Sequence, residues 1–77
     1  MPTLGEFLAH ARRYGFRRRV VSISAEAHGS DRIAYLWRDA DHFVELPALR
    51  DNDRLTRHTV ETLCLQLEIP GEDFGLV

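Results

Sequence analysis

The sequence predicts an α+β fold in which two helices flank a three-stranded antiparallel sheet, in the order α-β-β-β-α. Apolar residues recur at helical spacing near both ends of the chain. They alternate at strand spacing in the middle, where only short turn segments separate three alternating runs. A three-stranded sheet has two faces, and the simplest closure lays both helices on one of them. The other face is then left to solvent or to a partner.

The first helix is predicted over residues 4–14. Thr3 can cap its N-terminus, and Glu6 stands three places later, the spacing of a reciprocal capping box. One apolar stripe follows the helical repeat and consists of Leu4, Phe7, Leu8 and Ala11. Gly15 suits a left-handed helix end, from which Phe16 can pack back on the last turn.

The three strands are predicted over residues 17–26, 32–38 and 42–46. Val21 and Ile23 alternate with serines, as in a half-buried strand. In the second strand Ile33, Tyr35 and Trp37 share one face. Tyr35 and Trp37 have rings that could stack on bases, but they are predicted to belong to the core beside Ile33, because buried aromatics dominate small cores. Residues 28–31 have the composition of a turn.

The second helix is predicted over residues 57–67, with Thr56 as its N-cap. Its apolar stripe consists of Val60, Leu63, Cys64 and Leu67. Cys64 is therefore predicted to be a buried structural thiol rather than a nucleophile. Residues 72–74 are predicted to form one more turn that pins Phe74 to the core.

Length and charge limit the classes of function. The 77 residues predict one domain spanning 1–77. The net charge of −2 divides unevenly: residues 1–19 hold five arginines against Glu6, or +4, and the remainder carries −6. This excludes a uniformly basic nucleic-acid binder but allows a local basic patch. The sequence lacks a membrane-length apolar run and a signal-peptide pattern, which predicts a cytoplasmic protein without membrane partners.

The arginines are the candidate nucleic-acid-binding residues, because guanidinium groups bind phosphate in a bidentate manner. The predicted set is Arg12, Arg13, Arg17, Arg18, Arg19 and Arg32. The alternative interpretation is a solvated helix end next to an edge strand that charge protects from pairing.

Histidine and cysteine spacing predicts neither a metal site nor a cofactor. The four histidines stand at positions 10, 28, 42 and 58, no two of them within four residues, and there is one cysteine. Ser30 has no neighbour in sequence that would act as its base, so a serine nucleophile is not predicted.

A glycine–aromatic step, Gly15-Phe16, follows the first helix. Near the end, the chain carries the segments Asp53-Arg54-Leu55-Thr56, Thr59-Val60, Leu63-Cys64, Ile69-Pro70 and Glu72-Asp73-Phe74. Together these segments resemble the HicA (YcfA-type) toxins of bacterial toxin–antitoxin systems, which have a fold like the double-stranded-RNA-binding domain. The resemblance spans nearly the whole chain. It implies RNA as substrate and a HicB-like antitoxin as protein partner.

The resemblance also implies a catalytic histidine directly after a glycine–serine pair. Here Gly29-Ser30 is followed by Asp31, and His28 lies on the other side of the pair. An aspartate is a poor acid near neutral pH and repels phosphate, whereas imidazole titrates close to neutrality. The sequence therefore predicts a HicA-like domain that binds RNA or an antitoxin and has weak or absent ribonuclease activity.

Two alternatives stay open. The chain is an active mRNA-cleaving toxin in which His28 is the catalytic residue, or it is a protein-interaction module without a nucleic-acid role. In the second case its free sheet face would pair with another chain or with itself as a homodimer.

Overall fold

The computed structural model describes residues 1–25 and 29–76, and the side chains of these except residues 22–25 and 29–31. The elements are α1 (Leu4–Ala11), a 3₁₀ turn (Arg12–Tyr14), β1 (Arg17–Ala25), β2 (Gly29–Asp39), β3 (His42–Glu45), α2 (Arg57–Leu67) and a second 3₁₀ turn (Gly71–Phe74). The α-β-β-β-α order and the bounds of α2 are therefore confirmed.

Local capping fixes both ends of α1. The Thr3 N–H donates to Glu6 Oε1 at 2.9 Å, and the Glu6 N–H donates to Thr3 Oγ1 at 3.1 Å. This is the predicted capping box. Gly15 has φ +88°, and the Phe16 N–H donates to the Ala11 carbonyl at 3.2 Å. This left-handed step brings Phe16 back into the core, where its side chain is fully buried.

The sheet is antiparallel, with strand order β1-β2-β3. The β1–β2 ladder is long, running from Arg17↔Trp37 to Ala25↔Gly29. Residues 29–31 consequently belong to β2, which corrects the prediction of a turn over 28–31. β3 is shorter and pairs only with residues 35–39 of β2, with an irregularity between Trp37 and Asp39. The β1–β2 hairpin therefore extends beyond the end of β3.

One face of the sheet packs against both helices. Its contribution to the core is Leu36, which is 1% exposed, together with partly buried Ala34 and Val44. The other buried residues are Leu4, Phe7, Leu8, Ala11, Phe16, Leu46, Leu55, Val60, Leu63, Cys64, Leu67 and Ile69. Both predicted helix stripes are in this cluster. Phe74 also packs there, with its ring centroid 5.0 Å from that of Phe7, as predicted.

The prediction that Ile33, Tyr35 and Trp37 form the core face of β2 is wrong. All three are only partly buried, and they alternate with Leu36, which the helices cover. Leu36 lies opposite Val44 in the ladder, so their side chains form one apolar pair on the helix side. Since side chains alternate along a strand, burying this pair turns the neighbouring odd-numbered residues away from the helices.

The loop between β3 and α2 is fastened to the start of α1. The Leu4 N–H donates to the Asp53 carbonyl at 2.9 Å, and the Gly5 N–H donates to the Asp51 carbonyl at 2.8 Å. These bonds satisfy first-turn amides that a helix leaves unpaired. A Cβ on Gly5 would lie 3.0 Å from the Asp51 carbonyl oxygen, so any larger residue would push the loop away by a few tenths of an ångström.

Two leucines of α2, one buried and one exposed, allow a test of which side of this helix faces the core. Leu63 is 4% exposed and Leu65 is 81% exposed. Leu63→Ala removes apolar contacts and leaves a cavity, so we expect it to lower the free energy of unfolding by about 2–5 kcal/mol. Leu65→Ala makes the same chemical change at the surface and should stay within about 0.5 kcal/mol of the parent. Urea unfolding measures both. Equal losses for the two variants would contradict the assigned orientation of α2.

Candidate nucleic-acid interface

The sheet face that the helices leave uncovered carries an arginine-rich and aromatic surface, which we call the open face. Its members with described side chains are Arg17, Arg19, Val21, Ile33, Tyr35, Trp37, Phe43 and Glu45. Val21 is 47% exposed and Phe43 is 51% exposed. Five of these residues line a shallow depression of about 330 Å³, namely Arg19, Val21, Tyr35, Trp37 and Phe43.

Strand register arranges the open face in rows across the sheet. Tyr35 lies opposite Arg19 on one side and opposite Glu45 on the other. Trp37 lies in the same way between Arg17 and Phe43. Residues directly opposite one another point to the same face. These two rows therefore each have an arginine at the β1 edge and an aromatic ring at the centre, whereas the third row pairs Val21 with Ile33.

Arg19 stacks on Trp37. The guanidinium carbon of Arg19 lies 4.2 Å from the centroid of the tryptophan ring, within cation–π distance. The salt bridges formed by described side chains include neither Arg17 nor Arg19. The guanidinium of Arg19 is therefore held by an aromatic ring, without a described carboxylate that neutralises its charge.

The structure does not gather the six candidate arginines into one patch. Arg17 and Arg19 lie on the open face. Arg12 and Arg13 are exposed on the 3₁₀ turn after α1. Arg12 also lines a depression beside α1 together with Arg18. Arg32 is exposed in the part of the hairpin that extends beyond β3.

Arg18 points to the helix side and is already paired. Its two terminal nitrogens lie 2.8 and 3.3 Å from the Asp51 carboxylate oxygens. This bidentate bond lowers the pKa of Asp51 and raises the pKa of Arg18. Phosphate would have to compete with Asp51 for this guanidinium, so Arg18 is a weaker candidate than Arg17 or Arg19.

The resemblance implies a catalytic site around residues 28–31, and none of these side chains is among those that the structure describes. His28 falls outside the described residues. The backbones of Ser30 and Asp31 belong to β2, where Asp31 lies opposite Ile23. The placement of the proposed catalytic groups stays a sequence prediction.

Two of the other histidines lie in hydrogen-bonded clusters that join separate elements. His10 Nε2 lies 2.8 Å from Asp73 Oδ2, and the Tyr14 hydroxyl donates to the same oxygen. These bonds lower the pKa of Asp73, chiefly through Tyr14, and connect α1 to the final 3₁₀ turn. Sequence spacing gave no sign of this cluster, because Asp73 is 63 residues from His10.

His42 lies between two carboxylates at the end of the sheet. Its Nδ1 is 2.8 Å from Asp39 Oδ1, and its Nε2 is 2.6 Å from Glu68 Oε2. Both hydrogen bonds favour the imidazolium, so they raise the pKa of His42, with Asp39 the larger cause. The bond from His42 is also the main reason that the pKa of Asp39 is lowered to about 2. This cluster connects the β2–β3 turn to the end of α2.

Cys64 is buried as predicted, and burial raises the pKa of its thiol, which disfavours the thiolate. Within residues 1–25 and 29–76, no group of three His, Cys, Asp or Glu side chains is arranged to hold a metal ion. None of the helices described here is long and apolar enough to cross a membrane.

The sequence matches none of the protein-family models, curated proteins or solved structures with which it was compared.

The His42 cluster predicts a pH dependence of stability. The pKa of His42 is raised above its unfolded value of about 6.5. Its stabilisation is therefore fully present below about pH 6.5 and is lost as the pH rises through the folded-state pKa. Melting temperatures measured between about pH 6 and pH 9 should fall less steeply for His42→Gln than for the parent.

His58→Gln is the matched control, because His58 is exposed on α2 and its side chain takes part in none of the described hydrogen bonds. We expect this variant to keep the parental pH profile. A His42→Gln profile parallel to that of the parent would show that the cluster makes no such contribution.

Proposed function

We propose that this chain is a divergent HicA-like domain that binds single-stranded RNA on its open face and lacks the standard catalytic histidine. One observation carries the proposal: the Arg19 guanidinium stacks on Trp37 on a sheet face that both helices leave uncovered.

The chemistry of the open face favours unpaired bases. Sequence-tolerant proteins that bind single strands stack bases on aromatic side chains and on arginine planes, and they hold the backbone by positive charge. Tyr35, Trp37 and Phe43 supply aromatic surface, while Arg17 and Arg19 supply charge along one edge. An A-form duplex would not present its base faces to such a surface, so single strands are the favoured ligand.

The family assignment is supported by the order of elements and by local geometry. The α-β-β-β-α order is the one that the resemblance implies. The Gly15-Phe16 step returns the chain to the core before β1, and Thr56 caps α2 through the Thr59 N–H. Both positions are among those that carry the resemblance.

A HicB-like protein partner is the second candidate. It is favoured by a groove of about 550 Å³ between β3 and α2, with Val44, Leu46 and Leu63 among its lining residues. β3 is an edge strand, and Leu46 donates its N–H inward to the Ala34 carbonyl. By strand alternation the Phe43 and Glu45 amides face outward, where an extended partner segment can add as a strand. A neighbouring HicB-like gene whose product co-purifies with this chain would support this candidate.

RNA binding is tested with a fluorescently labelled single strand of mixed sequence and about 12 nucleotides, a length within the range that one small domain covers. Replacing Arg17 and Arg19 by glutamine removes two positive charges from the open face. We expect weaker binding and a smaller dependence of affinity on salt, because fewer counterions are released. Anisotropy titrations at two salt concentrations measure both quantities.

Trp37→Ala and Arg50→Gln separate stacking from charge. Trp37→Ala removes the stacking platform, so we expect a loss of about 1–3 kcal/mol with an unchanged salt dependence. Arg50 is exposed in the loop before α2, next to Asp51, which pairs with Arg18 on the helix side of the sheet. Its replacement changes the net charge without touching the proposed site and should leave binding nearly unaltered. Parental affinity in both the Arg17/Arg19 and Trp37 variants would refute binding at this face.

RNA is expected to stay intact in the presence of this protein, because an aspartate occupies the position at which the family carries its histidine. Gel analysis of a labelled single strand after prolonged incubation measures this. The parent and His28→Ala should give the same result. Cleavage by the parent that His28→Ala abolishes would instead establish an active toxin with His28 as its catalytic residue.

A further inference from the structure

We infer that two copies of this chain associate through their open faces, related by a two-fold axis parallel to the strands. The open face exposes Val21 and Phe43 to about half of their full extent beside partly buried Tyr35 and Trp37. A contiguous surface of this kind, edged by charges, is typical of an interaction site. The association does not depend on the proposed RNA binding.

Charge complementarity identifies a second copy as the occupant. The central row of the open face reads Arg19, Tyr35, Glu45 from one sheet edge to the other. It is positive at the β1 edge, neutral at the centre and negative at the β3 edge. Two such rows are complementary in charge when the second copy is turned so that its β3 edge lies over the β1 edge of the first copy.

Only one orientation of two stacked sheets achieves this reversal. A two-fold axis parallel to the strands lays β1 of each copy over β3 of the other, so that Arg19 meets Glu45 of the second copy twice. An axis across the strands lays β1 over β1 and opposes Arg17 and Arg19 to the arginines of the second copy. Like charges in direct opposition are unfavourable, so the charges select the axis parallel to the strands.

The remaining rows fit the same arrangement. Tyr35 lies on the two-fold axis and contacts Tyr35 of the second copy. Trp37 lies one row further along the same strand and contacts Trp37 of the second copy in the same way. Arg17 then lies over Phe43 of the second copy, which allows a cation–π contact. Packed sheets cross at about 30°, and this small rotation displaces least the residues nearest the point at which the two central strands cross.

The size of the open face sets the strength of the association. Three strands about 4.8 Å apart, with rows about 6.8 Å apart along them, give roughly 300 Å² for each copy. The total of about 600 Å² is below the 1,200 Å² or more of stable interfaces. The dimer is therefore weak, and the fraction of the protein in dimers rises with protein concentration.

A charge-exchange experiment tests the pairing. The protein, freed of nucleic acid, is studied by sedimentation velocity over a series of concentrations. Arg19→Glu and Glu45→Arg each place like charges opposite one another, so each should weaken self-association at least about tenfold. An equimolar mixture of the two variants brings an all-negative row and an all-positive row together, so that both contacts between residues 19 and 45 join opposite charges. The mixture should therefore form a heterodimer, and the double variant R19E/E45R should recover the homodimer.

Trp37 provides a second readout, because it is the single tryptophan of the chain and lies on the open face. Its emission should shift to shorter wavelength as the concentration of the parent rises, and it should not shift for either single variant. Melting curves of all variants confirm that they are folded.

Three results would overturn the inference: a parent that stays monomeric throughout, single variants that associate like the parent, or a mixture that does not associate while the parent does. All of these measurements are made without RNA. Loss of RNA binding in the Arg17/Arg19 variant therefore bears on the proposed function alone, and a monomeric parent bears on the dimer alone.

Discussion

The rest of the structure depends on one packing constraint: the two short helices bury only one face of the three-stranded sheet. The stripes of α1 and α2 meet over Leu36, which the helices bury almost completely. A chain of this size hides only about 60% of the surface that its unfolded form exposes. Within the described residues, both helices pack on the same side of the sheet and leave the second face uncovered. What the sequence places on that face decides what the protein can contact.

Because side chains alternate along a strand, the residues that the helices bury also determine which residues lie on the open face. Once Leu36 and Val44 are buried as a pair, Tyr35, Trp37 and Phe43 must point outward. Their aromatic surface is then partly covered by Arg19, whose guanidinium stacks on Trp37. An arginine in this position shields apolar surface from water and keeps its charge available. The same side chain therefore covers part of the aromatic surface and carries the charge on which the proposed RNA binding depends.

Local signals in the sequence were sufficient to predict the helices, but they were not sufficient to predict which face of the sheet is buried. The capping box of α1, the Gly15-Phe16 step and the bounds of α2 follow from interactions within a few residues. The buried face of β2 does not, because Ile33, Tyr35 and Trp37 form a more apolar set than Ala34 and Leu36. The β2–β3 register does not decide this either, because it opposes Leu36 to Val44 on one face and Trp37 to Phe43 on the other. The helices decide it by packing against the face that carries Leu36, and this packing joins residues far apart in the sequence. The His10–Asp73 and His42–Glu68 contacts escaped prediction for the same reason.

The two proposed uses of the open face are connected by Arg19. Phosphate groups of RNA and the Glu45 carboxylate of a second copy would bind the same guanidinium, and bases would occupy the aromatic surface that the second copy covers. The two ligands therefore exclude each other, and RNA shifts the association equilibrium toward monomers by mass action. A face of about 300 Å² per copy suits this exchange, because a larger interface would not yield to a ligand of modest affinity. The weakness of the proposed dimer follows from the geometry of the sheet, so the proposed RNA-binding surface would be covered only at high protein concentration and would stay accessible to RNA.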